Sequence, residues 1–204
     1  MDNRRRYDWL APLYDRIDLA EVAYKRKLRP RLFRGLGGTI LEAGVGTGCN
    51  IAFYPPGARV VAFDASPAML AQARCRSERL GKPVELVATS VVQTGFAEAS
   101  FDAVVTAFLF GVLDAGMQGP ALAELARLCK PGGEIRILDY TVSRQPFRRL
   151  WMTLWLPWER AVYGGTFSRH TERYMADAGL ELAREEFLYK DMVRLLTARH
   201  AAAP

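Results

Sequence analysis

The chain has 204 residues, half of them hydrophobic, with 28 Lys and Arg against 22 Asp and Glu and a formal net charge of +6. That length suits one core burying roughly 70% of the unfolded surface, and with no low-complexity or linker-like tract residues 1–204 read as a single domain. Cys49, Cys75 and Cys129 are widely spaced with no Cys-x-x-Cys pair, which excludes a disulfide framework or zinc site and suits a reducing cytosol.

Met1 to Arg6 is basic, but the acids and proline of Tyr7-Asp8-Trp9-Leu10-Ala11-Pro12-Leu13-Tyr14-Asp15 exclude the apolar core of an export signal. A helix is predicted from Asp18 to Gly35, kinked or split at Pro30, so that about residues 1–36 form a helical lid. Strands follow at Thr39–Val45, Arg59–Asp64, Val84–Ala88, Phe101–Phe108 and Glu134–Tyr140, each followed by a segment with helical periodicity. Ser66 and Pro67 open a helix that Gly81 closes. Another spans Pro120–Cys129 and stops before the turn Lys130-Pro131-Gly132-Gly133. An aromatic, basic insertion at about 144–168 precedes a helix near Thr171–Ala178 and two strand-like runs, Arg184–Tyr189 and Val193–Ala198. The alternation predicts an α/β fold, a doubly wound, mostly parallel seven-stranded sheet with helices on both faces. No stretch reaches the roughly 18–20 apolar residues of a membrane span.

The sharpest signal is Ile40-Leu41-Glu42-Ala43-Gly44-Val45-Gly46-Thr47-Gly48, a buried strand running into a glycine-rich turn that lets a ligand approach the backbone. A dinucleotide fingerprint wants glycine at 49, where Cys49 stands, so an NAD-dependent oxidoreductase is disfavoured. Asp64, ending the second strand twenty residues past Gly44, can accept hydrogen bonds from both ribose hydroxyls. Met69, one turn into the next helix, can lie against an adenine face. Together these point to a nucleoside site.

Four segments in order, the Glu42–Gly48 strand and turn, Phe63-Asp64-Ala65-Ser66-Pro67-Ala68-Met69-Leu70, Ala99-Ser100-Phe101-Asp102-Ala103-Val104-Val105 and Leu128-Cys129-Lys130-Pro131-Gly132-Gly133, resemble the successive signatures of class I S-adenosylmethionine-dependent methyltransferases. The opening Tyr7–Asp15 segment is similar to the start of ubiquinone/menaquinone C-methyltransferases and bacterial phosphatidylethanolamine N-methyltransferases. The resemblance implies S-adenosylmethionine as cofactor, Glu42 on its ammonium directly or through water, Gly44, Gly46 and Gly48 along its tail, and Asp64, Ala65 and Met69 on the nucleoside. It also implies Tyr14 over the cofactor. Relatives usually place Gly-Asp after the third strand; this chain has Thr89-Ser90-Val91, so Ser90 and the backbone near Val91 are expected to meet adenine without a charge. Ala107 and Phe108 end the fourth strand at the crevice, in a segment that lacks the Asn/Asp-Pro-Pro-Tyr/Phe pattern of nucleobase and amide methylation.

In the insertion, Phe147, Leu150, Trp151, Leu154 and Trp158 share one helical face, with Trp155 and Arg144, Arg148, Arg149 and Arg160 around it. Trp with Arg is an interfacial composition, suited to an anionic membrane surface, although a core-packed lid has the same pattern. Arg148, Trp151, Trp155, Trp158, Arg169 and Phe108 are therefore candidates for acceptor or membrane contact. Tyr14, Tyr140 and His170 are the candidate proton acceptors. The leading expectation is methylation of a membrane lipid, of phosphatidylethanolamine type, at the inner face of the cytoplasmic membrane. A quinone precursor or other small apolar or thiol acceptor is the alternative. A non-catalytic nucleoside- or nucleic-acid-binding module ranks low, because the arginines sit among tryptophans rather than base-reading polar residues. No metal is expected.

Overall fold

The computed structural model describes residues 3–17 and 19–201. Three helices, α1 (Asn3–Leu10), α2 (Tyr14–Ile17) and α3 (Leu19–Phe33), precede β1 (Thr39–Ala43) and β2 (Arg59–Asp64). Then come α4 (Pro67–Leu80), β3 (Glu85–Ala88), β4 (Phe101–Ala107), α5 (Gln118–Leu128), β5 (Cys129–Tyr140), α6 (Pro146–Val162), β6 (Leu180–Tyr189) and β7 (Val193–His200). The seven strands form one sheet in the order β3-β2-β1-β4-β5-β7-β6. The first five are parallel, and β7 runs antiparallel to both β5 and β6.

Period-two alternation divides the strands between two apolar layers. Leu41, Val61, Phe63 and Val104 face Leu122, Leu125 and Leu128 of α5. Ile40, Val60, Ala62 and Val105 face Leu28, Leu32 and Phe33 of α3 and Leu70 and Ala73 of α4. With helices on both faces, the order reverses direction at β1, which pairs with β2 on one side and β4 on the other. A crevice opens there at the carboxyl ends of the strands.

Local chemistry explains the boundaries. Ser66 Oγ accepts from Met69 N at 3.1 Å, Pro67 opens α4, and Gly81 in the left-handed region closes it. α3 runs unbroken to Phe33 despite Pro30, because Leu28, Leu32 and Phe33 hold that last turn on the sheet; its expected first residue, Asp18, lies outside the described residues. The turn expected at Lys130–Gly133 is absorbed into β5, which pairs Phe101 with Cys129 and resumes register at Ala103 with Glu134. Asp102 fastens this corner, accepting from Thr39 N and Lys130 Nζ, both at 2.7 Å. A Cβ at Gly133 would fall 2.7 Å from Asp102 O, so only glycine fits.

The helix expected near Thr171–Ala178 is a single 3-10 turn, Thr171–Tyr174. Glu172 is drawn instead to Arg194 of β7. The insertion does form a helix, but as a core-packed lid it fails. Phe147 is 86% and Leu154 72% exposed, while Met152 and Glu159 are the buried side chains of α6. Among the described residues no helix is long and apolar enough to cross a membrane.

This distribution predicts a contrast in equilibrium denaturation. Leu125→Ala, fully buried under the sheet, should cost about 2–5 kcal/mol of unfolding free energy, whereas Leu154→Ala should change it by no more than about 0.5 kcal/mol.

Candidate active site

β1 ends where the chain must turn away from the sheet, and Gly44, Gly46 and Gly48 do so with φ of +70°, +54° and +79°. A Cβ at Gly44 would meet Leu109 Cδ1 at 2.9 Å, and one at Gly48 would meet Ile51 Cδ1 at 2.6 Å. At Gly46 nothing lies within 4 Å. The turn is stapled to β2: Gly44 N and Val45 N both donate to Phe63 O, at 2.9 and 3.0 Å. Gly46 N donates to Asp64 Oδ2 and Ser66 N to Asp64 Oδ1, both at 2.9 Å. Burial pushes the Asp64 carboxyl upward against these backbone donors, which favour its charged form.

The turn forms the floor of a cavity of about 460 Å3, of the size small-molecule sites take. On the β2–β3 side it is lined by Asp64, Ala65, Met69, Ser90 and Val91. On the β4 side stand Ala107, Phe108, Leu109, Val112 and Leu113. Between them the glycine turn continues through Thr47, Cys49 and Asn50, faced by Lys25 and Arg29 of α3. Tyr7 and Tyr14 contribute from the first two helices. The loop after β4 is pinned from behind, where Gly111 N donates to Asp139 Oδ2 at 2.9 Å and Gln118 Nε2 donates to Phe110 O at 2.7 Å.

The cavity thus brings together Tyr14, Gly44, Gly46, Asp64, Ala65, Met69, Ser90, Val91, Ala107 and Phe108 from the residues singled out in the sequence. Glu42 does not line it. Its buried carboxylate accepts from Asn50 Nδ2 at 2.7 Å and from the Tyr54 hydroxyl, and burial raises its pKa to about 7. Gly48 packs on Ala73 instead.

Tyr140 and His170 also lie off the cavity lining. The Tyr140 hydroxyl is hydrogen-bonded to Tyr24, its ring packs 5.0 Å from that of Phe108, and His170 Nδ1 faces Glu172 Oε1 at 3.4 Å. Arg169 reaches Leu113 O at 2.8 Å without lining the cavity. Arg148 is committed to Asp191 at 2.8 Å. Trp151, Trp155 and Trp158 form an exposed ladder on α6, the first two stacked 5.6 Å apart.

Sequence reading passed over Tyr7, Lys25, Arg29 and Asn50. A signal existed for Lys25: it precedes Leu28 and Leu32 by three and seven residues, which puts a lysine on the apolar face of α3. It was masked by the neighbouring Arg26 and Lys27, which are exposed.

A family model described as a methyltransferase domain matches residues 40–133. The chain is 38% identical over 156 residues to a phosphatidylethanolamine N-methyltransferase of Cereibacter sphaeroides, covering 73% of each. It is 32% identical over 200 residues to a ubiquinone/menaquinone biosynthesis C-methyltransferase of Syntrophotalea carbinolica, covering 92% of this chain and 82% of that one. This chain belongs to the class I S-adenosylmethionine-dependent methyltransferases. Its fold agrees: an O-methyltransferase family protein of Burkholderia thailandensis superposes with a TM-score of 0.73 at 19% identity, over 97% of this chain and 60% of that one.

S-adenosylmethionine is the cofactor of this methyltransferase, and the cavity suits it. The open space over Gly46, at a φ that side-chain-bearing residues rarely adopt, is a cradle for a ligand, and Asp64 supplies acceptor oxygens on its β2 side.

The buried Glu42 carboxyl predicts a pH signature. Its folded pKa of about 7 lies above the ordinary glutamate value of 4.5, so the native state takes up the proton first and the stabilising contribution, complete below pH 4.5, fades as pH rises through 7. Unfolding free energy measured between pH 4.5 and 7.5 should carry a decline of about 3 kcal/mol from this group, and Glu42→Gln should flatten that part of the profile.

Proposed function

We propose that this methyltransferase acts on a membrane lipid, in the manner of phosphatidylethanolamine N-methylation, at the cytoplasmic membrane surface. In this reading Asp64 holds the ribose hydroxyls, Met69 lies against adenine, and Ser90 with the Val91 backbone meets its edge. Ala65 and Ala107 flank the cofactor, the Gly44–Gly48 turn admits its tail, and Tyr14 closes over it. Bound S-adenosylmethionine supplies an electrophilic methyl group on a sulfonium. The residues' own work is to align the acceptor about 3–3.5 Å from that methyl and keep water away.

The observation that carries the lipid reading is the exposed face of α6. Six large apolar side chains, Phe147, Leu150, Trp151, Leu154, Trp155 and Trp158, stand in solvent beside arginines, which is the composition of a headgroup-level helix. The far end of α6 is joined to the cavity wall. The Tyr7 hydroxyl donates to Tyr163 O at 3.0 Å, just past the end of α6, and the Tyr14 ring meets Tyr163 edge-on at 5.7 Å. A lipid held at α6 therefore presents its headgroup near Tyr7 and Tyr14. Tyr14, which lines the cavity, is the group that relays the ammonium proton in this reading. The relative named as a phosphatidylethanolamine N-methyltransferase supports the same acceptor. A quinone-precursor ring is the second reading, favoured by the apolar wall of Phe108, Leu109, Val112, Leu113 and Met117.

Incubation with labelled S-adenosylmethionine and vesicles, with or without phosphatidylethanolamine, decides between them. Label should enter the lipid fraction only with that lipid. Transfer to a demethylquinol instead, with none to phospholipid, would remove the lipid assignment. Trp151→Ser with Trp158→Ser should abolish flotation with anionic vesicles, and wild-type flotation should weaken with salt. Asp64→Asn should weaken calorimetric S-adenosylhomocysteine binding by about ten-fold or more.

A further inference from the structure

A second cavity, of about 370 Å3, opens between the last turn of α3 and the β5–β7–β6 end of the sheet, and it shares no lining residue with the cofactor cavity. Its lining carries five arginines, Arg31, Arg34, Arg136, Arg184 and Arg199, against two carboxylates, Glu134 and Glu186. Strand pairing produces this crowding. Arg136 of β5 pairs with Thr197 of β7, which pairs in turn with Arg184 of β6, so all three side chains rise from one face of the sheet. Arg199, two residues past Thr197, rises from the same face, and α3 brings Arg31 alongside.

The two carboxylates are shared. Glu186 accepts from Arg31 and, at 2.9 Å, from Arg184. Glu134 accepts from Arg199 and, at 2.7 Å, from Arg136. Arg34 makes no ion pair among the described residues, and Glu181, opposite Arg199 in the strand register, does not line the cavity. The lining therefore holds an excess of three positive charges. Arg136 is the fixed floor, its side chain 14% exposed and its Nη1 donating to Leu32 O at 3.1 Å and Arg34 O at 2.8 Å, which closes the carbonyl end of α3. The rim is freer. Arg31, Arg184 and Arg199 have half-exposed to exposed side chains and each meets its glutamate through Nη2 alone, so most N–H donors of these guanidinium groups stay available. A concave surface lined by one sign of charge draws counter-ions into it.

We propose that this groove binds a small soluble anion carrying two adjacent phosphate groups, a compact diphosphate. The arginines around Glu186 and those around Glu134 form two clusters, and a ligand with two phosphates meets both at once. Guanidinium suits this because its planar fork grips phosphate oxygens in pairs, and Thr197, between Arg136 and Arg184 in the strand register, adds a hydroxyl. The volume is that of a small-molecule site. The exposed large apolar side chains that would enter a bilayer stand on α6, whereas the apolar lining here is Ala183 and Leu195, so a soluble anion rather than a lipid surface is the occupant.

The experiment is calorimetric titration of inorganic pyrophosphate into the full chain, with S-adenosylhomocysteine saturating the other cavity. Pyrophosphate should bind, with an affinity that falls as salt is raised. Arg31→Gln combined with Arg199→Gln, one arginine from each cluster, should weaken it by about ten-fold or more, while S-adenosylhomocysteine affinity stays unchanged and so shows that the variant is folded. Glu186→Gln, which removes a competing carboxylate, should tighten pyrophosphate binding, a direction that loss of a merely structural ion pair does not give. Should the double variant fail to fold, Arg184→Gln, the most exposed of the three, tests the same loss. No pyrophosphate binding by the wild type, or the same affinity in the wild type and the arginine variants, overturns the proposal. So does loss of anionic-vesicle flotation in the arginine variants with pyrophosphate affinity unchanged, which would assign the cluster to a lipid surface.

Discussion

Everything at the site depends on how the end of β1 is tied to the end of β2. Two consecutive amides, Gly44 N and Val45 N, converge on one carbonyl, Phe63 O, and the next glycine amide goes to Asp64. That convergence requires the left-handed backbone seen at Gly44 and Gly46. It fixes the turn and the carboxylate in one frame, so the cavity floor and its acidic side cannot move independently. The parallel pairing of β1 with both β2 and β4 then sets this frame at the point where strand order reverses, and the loop after β4 becomes the opposing wall.

What was legible in the sequence was what local chemistry determines. β2 falls at Arg59–Asp64 as expected, and α4 is bounded by its Ser66 cap, Pro67 and Gly81, because each signal acts within a few residues. The parallel pairing of the first five strands follows from βαβ alternation. What local chemistry could not supply was decided by distant partners. The start of β5 at Cys129 depends on a bulge opposite Phe101 and Ala103, thirty residues away in the chain. The loss of a helix after Thr171 depends on Arg194, and the continuity of α3 through Pro30 depends on packing against strands that come later.

The site divides the same way. Gly44, Gly46, Asp64, Met69 and Ser90 could be placed at a common crevice because they sit at strand ends whose geometry the alternation dictates. Glu42 stands back from the cavity for a reason of length scale. It lies on the right strand, but a buried carboxylate takes the nearest strong donors, and Tyr54 and Asn50, twelve and eight residues on, reach it first. Tyr140 and His170 were chosen for chemistry alone, and Tyr24 of α3 and Glu172, two residues past His170, engage them. Lys25 and Arg29 needed the opposite correction, since their significance comes from a cavity assembled by β1, β4 and α3 together.

Helix α6 shows how an apolar stripe and its meaning can come apart. The i, i+3, i+4 spacing of Phe147, Leu150, Trp151, Leu154 and Trp158 would ordinarily place these residues in a core, yet both sides of the sheet are already filled by α3, α4 and α5. The helix is anchored at its two ends instead. At its start Arg148 and the Ser143 hydroxyl bind Asp191, whose carboxyl they hold below the usual range. At its end Arg6 Nη1 and the Tyr7 hydroxyl bind the carbonyls of Arg160 and Tyr163. A helix fastened at both ends keeps its orientation without burying its apolar face, so that face stays available. Because the fastening at the far end is made by α1, which also lines the cavity through Tyr7, the end of α6 and the cavity wall share one set of contacts.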